Sequence, residues 1–374
     1  MSATSAEQER PVTLAQWLYY WKIDLPLLLA LLGCGAISVF LLYSASDQSM
    51  GMVFNQSMRF GIGLAAMVAV AQVPPDWYRT AAPWAYGGGL LLLVLVLCFG
   101  DTANGATSWL VVGPLRFQPS EIMKIAVPLA AAAWLHERVL PPSWAALGIT
   151  ALLVAVPVVL IEMQPDLGTA LLVLAAGALV AYLAGLRWRL MILLLLIMVA
   201  AAPLVWFNLQ DYQQERVLTF LNPGRDPAGA GYHIIQSKIA IGSGGLFGKG
   251  WLQGTQSHLN FLPESETDFL FAVLAEEMGF LGVLALCCLY AFLIARALQI
   301  AWNSQDTFQR LLAGSLGLTF FVYVFVNIGM VIGILPVVGV PLPLLSFGGT
   351  SMVVLLIGFG ILMSIQTHKK LLTP

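Results

Sequence analysis

The sequence predicts an all-α, polytopic integral membrane protein of about ten transmembrane helices, with both termini cytoplasmic and one long extracytoplasmic loop between helices 7 and 8. Three observations predict it. Of 374 residues, 59% are hydrophobic and only 10% are charged, where a soluble domain carries roughly a quarter charged residues; mean hydropathy is +0.86. The apolar residues gather into runs near the ~20 residues that cross hydrocarbon. The basic residues fall on alternate connecting segments, the asymmetry that orients helices in a bilayer. This composition excludes a water-soluble enzyme, a secreted disulfide scaffold and a disordered chain. The net charge of −2 excludes a basic nucleic-acid binder.

Residues 1–24 are polar to amphipathic, with no short apolar core or A-x-A site, and read as a cytoplasmic segment without a cleavable signal; the first span serves as the insertion signal. Residues 25–366 read as one ten-helix membrane domain. Its spans are expected at about 25–45, 54–73, 81–99, 118–135, 144–161, 167–185 and 189–208, then 268–297, 311–335 and 347–366. The eighth is long enough to tilt. The extracytoplasmic loop covers about 209–267, and 367–374 is a cytoplasmic tail. Cys34, Cys98, Cys287 and Cys288 lie inside apolar runs and read as small buried hydrophobes. Leu-Leu-Gly-Cys34 has the look of a lipoprotein box, yet the apolar run continues to Leu42.

Ten of the 17 basic residues sit on one alternating set of segments: Arg10, Lys22, Arg79, Arg138, Arg187, Arg189, Arg296, Arg310, Lys369 and Lys370. That set is cytoplasmic. The opposite short segments hold Arg116, with Arg59 just inside span two. The long outer loop keeps Phe220, Tyr232, Ile234, Ile235, Ile239, Leu246, Phe247 and Trp251, so it is expected to fold against the membrane. Residues 232–242 have amphipathic helical spacing and are expected to lie in the interface plane.

Ionisable groups inside spans cost roughly 2.5–3.5 kcal/mol each on insertion scales and persist when paired or functional. Four places carry them. In Gln118-Pro119-Ser120-Glu121-Ile122-Met123-Lys124, Pro119 suits a helix start, and Glu121 and Lys124, three apart, share a face. They form a structural ion pair, a polar cavity wall, or both. In Gln164-Pro165-Asp166-Leu167-Gly168-Thr169, Asp166 either caps the helix that follows or joins the site. In Pro263 to Phe271, Asp268 stands at the membrane mouth before an apolar run. It is a cap or a base, and Ser265 or Thr267 could cap in its place. Glu276 and Glu277 lie two turns into span eight and require a polar interior or distant cations.

Ser243-Gly-Gly-Leu-Phe-Gly248-Lys249-Gly250 lacks the first Gly and last Ser/Thr of a Walker loop. It reads as a flexible turn, or as a Gly-rich backbone that approaches a lipid phosphate. His136, His233, His258 and His368 have no metal-ligand spacing, so no metal site is expected.

These stretches resemble the SEDS (shape, elongation, division, sporulation) family over about residues 15–370. The most specific are Gln118 to Lys124, Gln164 to Ala170, Asp226 to His233, Gly242 to Gly250, Phe261 through Phe269, and Gly333 to Gly349. Gly339-Val-Pro-Leu-Pro343 looks like the elongation branch rather than the division paralog. Phe347 departs from the family, where a Tyr is common, so no hydrogen-bonding role is assigned there.

The resemblance implies a peptidoglycan glycosyltransferase of the cell inner membrane that polymerises lipid II, with its catalytic face toward the periplasm. The family's essential aspartate falls on Asp268 and its polar cavity pair on Glu121 and Lys124; Ser120, Asp166 and Thr267 are counted as supporting. It also implies a class B penicillin-binding protein and other elongation-complex membrane proteins as partners. The chemistry needs a base on the acceptor sugar hydroxyl, for which Asp268 is the best placed. It needs cations on the leaving undecaprenyl pyrophosphate: Lys249, Lys238, Arg216 and Arg59 are candidates, and Lys124 joins them if Glu121 leaves its charge available. No cofactor follows with certainty, and a divalent cation requirement stays open. A lipid II flippase is the alternative; the lack of paired inverted repeats weighs against it. A non-catalytic scaffold gives no reason for ionisable groups gathered toward one leaflet.

Overall fold

The computed structural model describes residues 21–103, 106–113, 115–186, 188–208, 211–222, 224, 230–258, 261–262 and 264–369. The chain is mostly helical, and a helix covers each of the ten apolar segments. These are α1 (Leu25–Ala45), α2 (Met50–Ala71), α3 (Pro75–Phe99), α4 (Pro119–His136), α5 (Trp144–Glu162), α6 (Leu167–Leu183), α7 (Trp188–Asn208), and beyond the long loop α11 (Leu270–Trp302), α12 (Thr307–Val331) and α13 (Thr350–Thr367). Among the described residues, seven of them are long and apolar enough to cross a membrane. Helices α4 and α6 have 18 and 17 residues, and α4 carries Glu121 and Lys124.

The helix starts follow local chemistry. Asp24 caps α1, its carboxylate accepting from the Leu27 N–H at 3.1 Å, and Pro26 occupies the first turn, where its missing N–H costs nothing. The same carboxylate takes Arg296 of α11 at 2.6 Å, so the cap also ties α1 to α11. Pro75 and Pro119 open α3 and α4, and Ser143 caps α5. Pro83, Pro128, Pro157 and Pro203 lie inside helices, tolerated where neighbouring helices satisfy the freed carbonyls.

Two features lie outside the helical reading of the sequence. Between α3 and α4 the chain forms an antiparallel three-stranded meander, β1 (Asp101–Ala103), β2 (Ala106–Val112) and β3 (Leu115–Phe117). Asp101 faces Trp109 and Leu110 faces Phe117, and Arg116 pairs with Asp101 at 2.8 Å. The second is a break in α11 at Gly279, with φ 64° and ψ −162°, a conformation open to glycine alone.

The long loop before α11 contains α8 (Asp211–Leu221), α9 (Ala230–Gly244) and the single turn α10 (Thr255–His258), joined by turns. The amphipathic 232–242 segment falls within α9. Its apolar face, with Ile234, Ser237, Ala240 and Gly244 buried, packs on α11. The Gly-rich stretch after α9 is not a loose turn. It runs along the α11 break: Phe280 N–H donates to Gly245 C=O at 2.9 Å, Lys249 N–H to Glu276 C=O at 3.0 Å and Gly250 N–H to Glu277 C=O at 3.0 Å. A Cβ on Gly279 would stand 2.3 Å from Gly248 N, and one on Gly248 (φ +79°) 2.0 Å from Glu277 O.

Gly279→Ala and Gly248→Ala are each expected to cost about 1–3 kcal/mol or more from the backbone conformation alone. Thermal unfolding of the purified protein in detergent reads this as a lowered midpoint; an unchanged midpoint for both would remove the junction as a structural constraint.

Candidate active site

The polar groups of the bundle converge on two places that one helix joins. The first is on α4. Glu121 and Lys124 lie on the same side of its first two turns and are 4% and 5% exposed. Lys124 Nζ lies 2.6 Å from Glu121 Oε1 and donates to the Tyr323 hydroxyl of α12 at 3.1 Å. That hydroxyl meets Ser351 Oγ of α13 at 2.9 Å. A cavity of about 40 Å³ opens beside them, lined by Glu121, Lys124, Thr319 and Tyr323 among apolar residues of α12 and α13. Glu121 Oε2, Thr319 Oγ1 and Ser120 Oγ are buried without a hydrogen-bond partner among the described residues.

The second place is the turn before α11. Thr267 donates to Glu264 Oε2 at 2.6 Å, and its carbonyl accepts from Ser346 Oγ. The Asp268 carbonyl accepts from Asn327 Nδ2 of α12 at 3.0 Å. Its carboxylate lies against the 333–349 segment: a Cβ on Gly339 (φ +70°) would stand 3.7 Å from Asp268 Oδ2. His233 of α9 stacks on Phe269 with ring centroids 5.7 Å apart. Nearby, burial and the carboxylates of Glu264 and Asp47 push the Glu266 carboxyl above its ordinary value. Tyr323 and Asn327 are four residues, ~6 Å of rise, apart on one face of α12, so a single helix face contacts both the Lys124 network and the Asp268 main chain.

The remaining sequence-predicted residues scatter around the same 333–349 segment or are held elsewhere. Asp166 caps α6, accepting from Thr169 N–H at 3.1 Å, and its other oxygen takes Gln118 Nε2 at 2.6 Å; both the cap and a link to the α4 start are present. Beside it, a Cβ on Gly168 would stand 2.6 Å from Val338 O. The Arg59 guanidinium lies over the Phe347 ring, 4.4 Å from its centroid, so the position where a Tyr is common in the family here offers an aromatic face. Lys238 is exposed on α9, with its Nζ 2.7 Å from where a Cβ on Gly333 would be. Lys249 is engaged: its ammonium is 2.6 Å from Glu276 Oε1 and donates to Thr255 at 2.8 Å. Glu276 also accepts the Gln256 N–H. Glu277 takes the Ser44 hydroxyl. Arg216 lies on α8 with its side chain outside the described residues. Among those residues, no group of three or more His, Cys, Asp or Glu side chains is arranged to hold a metal ion.

Three residues of the site carry no motif. Tyr323 and Asn327 each read as one polar residue in an apolar run and Ser351 as part of the Thr350-Ser351 start of the last helix; the only hint is the i, i+4 spacing of Thr319, Tyr323 and Asn327.

Known proteins place the chain. The family model described as a cell cycle protein, FtsW/RodA/SpoVE, matches residues 17–371. The peptidoglycan glycosyltransferase MrdB of Escherichia coli (strain K12) is 54% identical over 352 residues, covering 94% of this chain and 95% of that one. The peptidoglycan glycosyltransferase RodA of Treponema pallidum is 32% identical, covering 92% and 98%. Among solved structures, a chain from work on the structural coordination of polymerization and crosslinking by a peptidoglycan synthase complex matches with a TM-score of 0.81, at 37% identity and 92% and 97% coverage. The rod shape determining protein RodA of Thermus thermophilus matches with a TM-score of 0.71, at 31% identity and 93% and 98% coverage.

Removing one member of the buried pair tests its energetics. Lys124→Met leaves the Glu121 carboxylate uncompensated and is expected to destabilise by about 3–5 kcal/mol, while the double change Glu121→Gln with Lys124→Met recovers most of that loss. A double-mutant cycle on thermal stability checks it; additive losses would show that the two side chains do not act as a pair.

Proposed function

The chain belongs to the FtsW/RodA/SpoVE family of cell cycle proteins, the SEDS family, and on that premise we propose that it is a peptidoglycan glycosyltransferase that polymerises lipid II into β-1,4-linked glycan during cell elongation. The observation that carries the site assignment is the setting of Asp268. It is the carboxylate that stands at the entrance of α11 with its main chain pinned from α12 and its oxygen beside a glycine of the 333–349 segment.

Asp268 takes the proton from the C4 hydroxyl of the acceptor sugar. The freed oxygen forms a bond to the anomeric carbon of the donor. The bond from that carbon to the pyrophosphate oxygen breaks, and undecaprenyl pyrophosphate leaves with the electron pair. Single displacement inverts the α-linked donor to a β-linked product, and the proton on Asp268 passes to water before the next addition.

The pyrophosphate needs a cation that is not already neutralised. Lys249 and Lys124 are matched by Glu276 and Glu121. Arg59 and Lys238 both touch the segment that flanks Asp268, which favours them for that role, with Arg216 as the remaining candidate. Glu121, Lys124, Ser120 and Asp166 support the site through the buried pair on α4 and through the α6 cap that Gln118 links to the start of α4. The family's elongation members imply an inner-membrane location, Asp268 toward the periplasm, and a class B penicillin-binding protein as the crosslinking partner.

Asp268→Asn keeps the side-chain shape and removes the base. Polymerisation of lipid II by the purified, folded protein is expected to fall by about 10²–10⁴-fold, with thermal stability close to wild type. Glycan formed at the wild-type rate would overturn the catalytic assignment.

A further inference from the structure

Three successive carbonyls lead into the catalytic carboxylate, and each is held from outside its own segment. Glu266 C=O accepts from Phe347 N–H at 2.9 Å. Thr267 C=O accepts from the Ser346 hydroxyl. Asp268 C=O accepts from Asn327 Nδ2 at 3.0 Å. The third differs in origin and reach. Its donor stands on a helix rather than on the 333–349 segment, and the same nitrogen also donates to Val340 C=O at 2.7 Å. One side chain therefore ties the main chain of Asp268 to the residue that follows Gly339, the glycine against which the carboxylate lies.

Both neighbours of that nitrogen are carbonyl oxygens, which only accept, so the amide must present its NH₂ group to them. Asn327 is fully buried, and its Oδ1 has no hydrogen-bond partner among the described residues. Burying an amide with half its capacity unmet is costly. The amide is kept in the apolar helix by the two carbonyls it serves, and one of them belongs to Asp268.

We infer that Asn327 is a positioning residue for Asp268. It does not touch the sugars. It fixes the main chain from which the carboxylate projects, so that the base meets the acceptor hydroxyl at one distance and angle. The constraint matters because a displacement of about 1 Å in a reacting group costs on the order of 10²-fold in rate. The inference rests on Asp268 being the general base.

The test compares wild type, Asn327→Leu, Ser346→Ala, Asp268→Asn and the double variant of Asp268→Asn with Asn327→Leu. Each is the full-length chain, co-purified with its penicillin-binding protein and supplied with lipid II. The readouts are kcat per folded molecule, KM for lipid II and the thermal midpoint. Leucine keeps the branching of asparagine and removes both donated bonds. Asn327→Leu is expected to lower kcat by about 10–100-fold with KM within about threefold, and the double variant to be no slower than Asp268→Asn alone, as for residues that act as a unit.

A lowered midpoint with kcat per folded molecule within twofold of wild type would make Asn327 purely structural and overturn the inference. If Asn327→Leu does not fold, Ser346→Ala releases the adjacent carbonyl and carries the same expectation of a kcat-selective loss; an unchanged kcat there overturns it equally. Asp268→Asn separates the two levels. If it is inactive while Asn327→Leu is normal, positioning alone fails. If it is active, the general-base reading fails and takes this inference with it.

Discussion

The structure depends on how the irregular 333–349 segment satisfies its main chain away from water. Buried peptide groups must find partners, and between two apolar helices only protein can supply them. The carbonyl of Val340 takes Asn327 of α12, and that of Pro343 takes the Tyr290 hydroxyl of α11 at 2.7 Å. Leu345 takes Ser38 of α1 at 2.6 Å and Gln56 of α2 at 3.2 Å, and Gln56 also holds Ser346 at 3.1 Å. Between them Leu344 is buried with φ +66°, a left-handed conformation that a leucine keeps only when its surroundings dictate it. The donors come from four helices, so the segment takes its form only when the bundle is assembled. Asp268 is pinned to that segment, and its placement is a property of the whole bundle.

Charge obeys the same economy. Asp24 with Arg296, Glu121 with Lys124, and Glu276 with Lys249 are each within 2.6 Å. The first joins α1 to α11. The last joins the Gly-rich stretch to α11 near the Gly279 break, where glycine main chain lies against main chain. Pairing turns costly groups into clamps, and it removes Lys124 and Lys249 from the supply of unmatched cations. Among the described residues, Arg59 and Lys238 lie against Phe347 and Gly333 of the segment that holds Asp268.

The helices were legible because an apolar run near 20 residues has one stable form in lipid, and the starts were legible where Pro119 and Asp166 stand before such runs; the Asp24 cap emerged only in the structure. Glu121 and Lys124 were legible as neighbours because a three-residue spacing puts them on one face. The Gly279 break was not, because a glycine in an apolar run looks the same whether it kinks the helix or, as at Gly33, does not. The strands of 101–117 were hidden because that connection carries no long alternating pattern. The match of Glu276 to Lys249 joins residues far apart in the chain, and Asn327 shows only as one amide among valines and isoleucines.

Membrane class, helical segments and a short list of ionisable residues follow from the linear order of the amino acids, because solvation and helical periodicity act within 20 residues or fewer. The proposal of Asp268 as the base also began from the resemblance of its flanking residues to the family. That Lys124 and Lys249 are paired, and what holds the Asp268 main chain, were decided only by the folded bundle. Those contacts join α1, α2, α11, α12 and the 333–349 segment, and they arise from satisfying buried polar groups in three dimensions, a condition that no local window of the chain expresses.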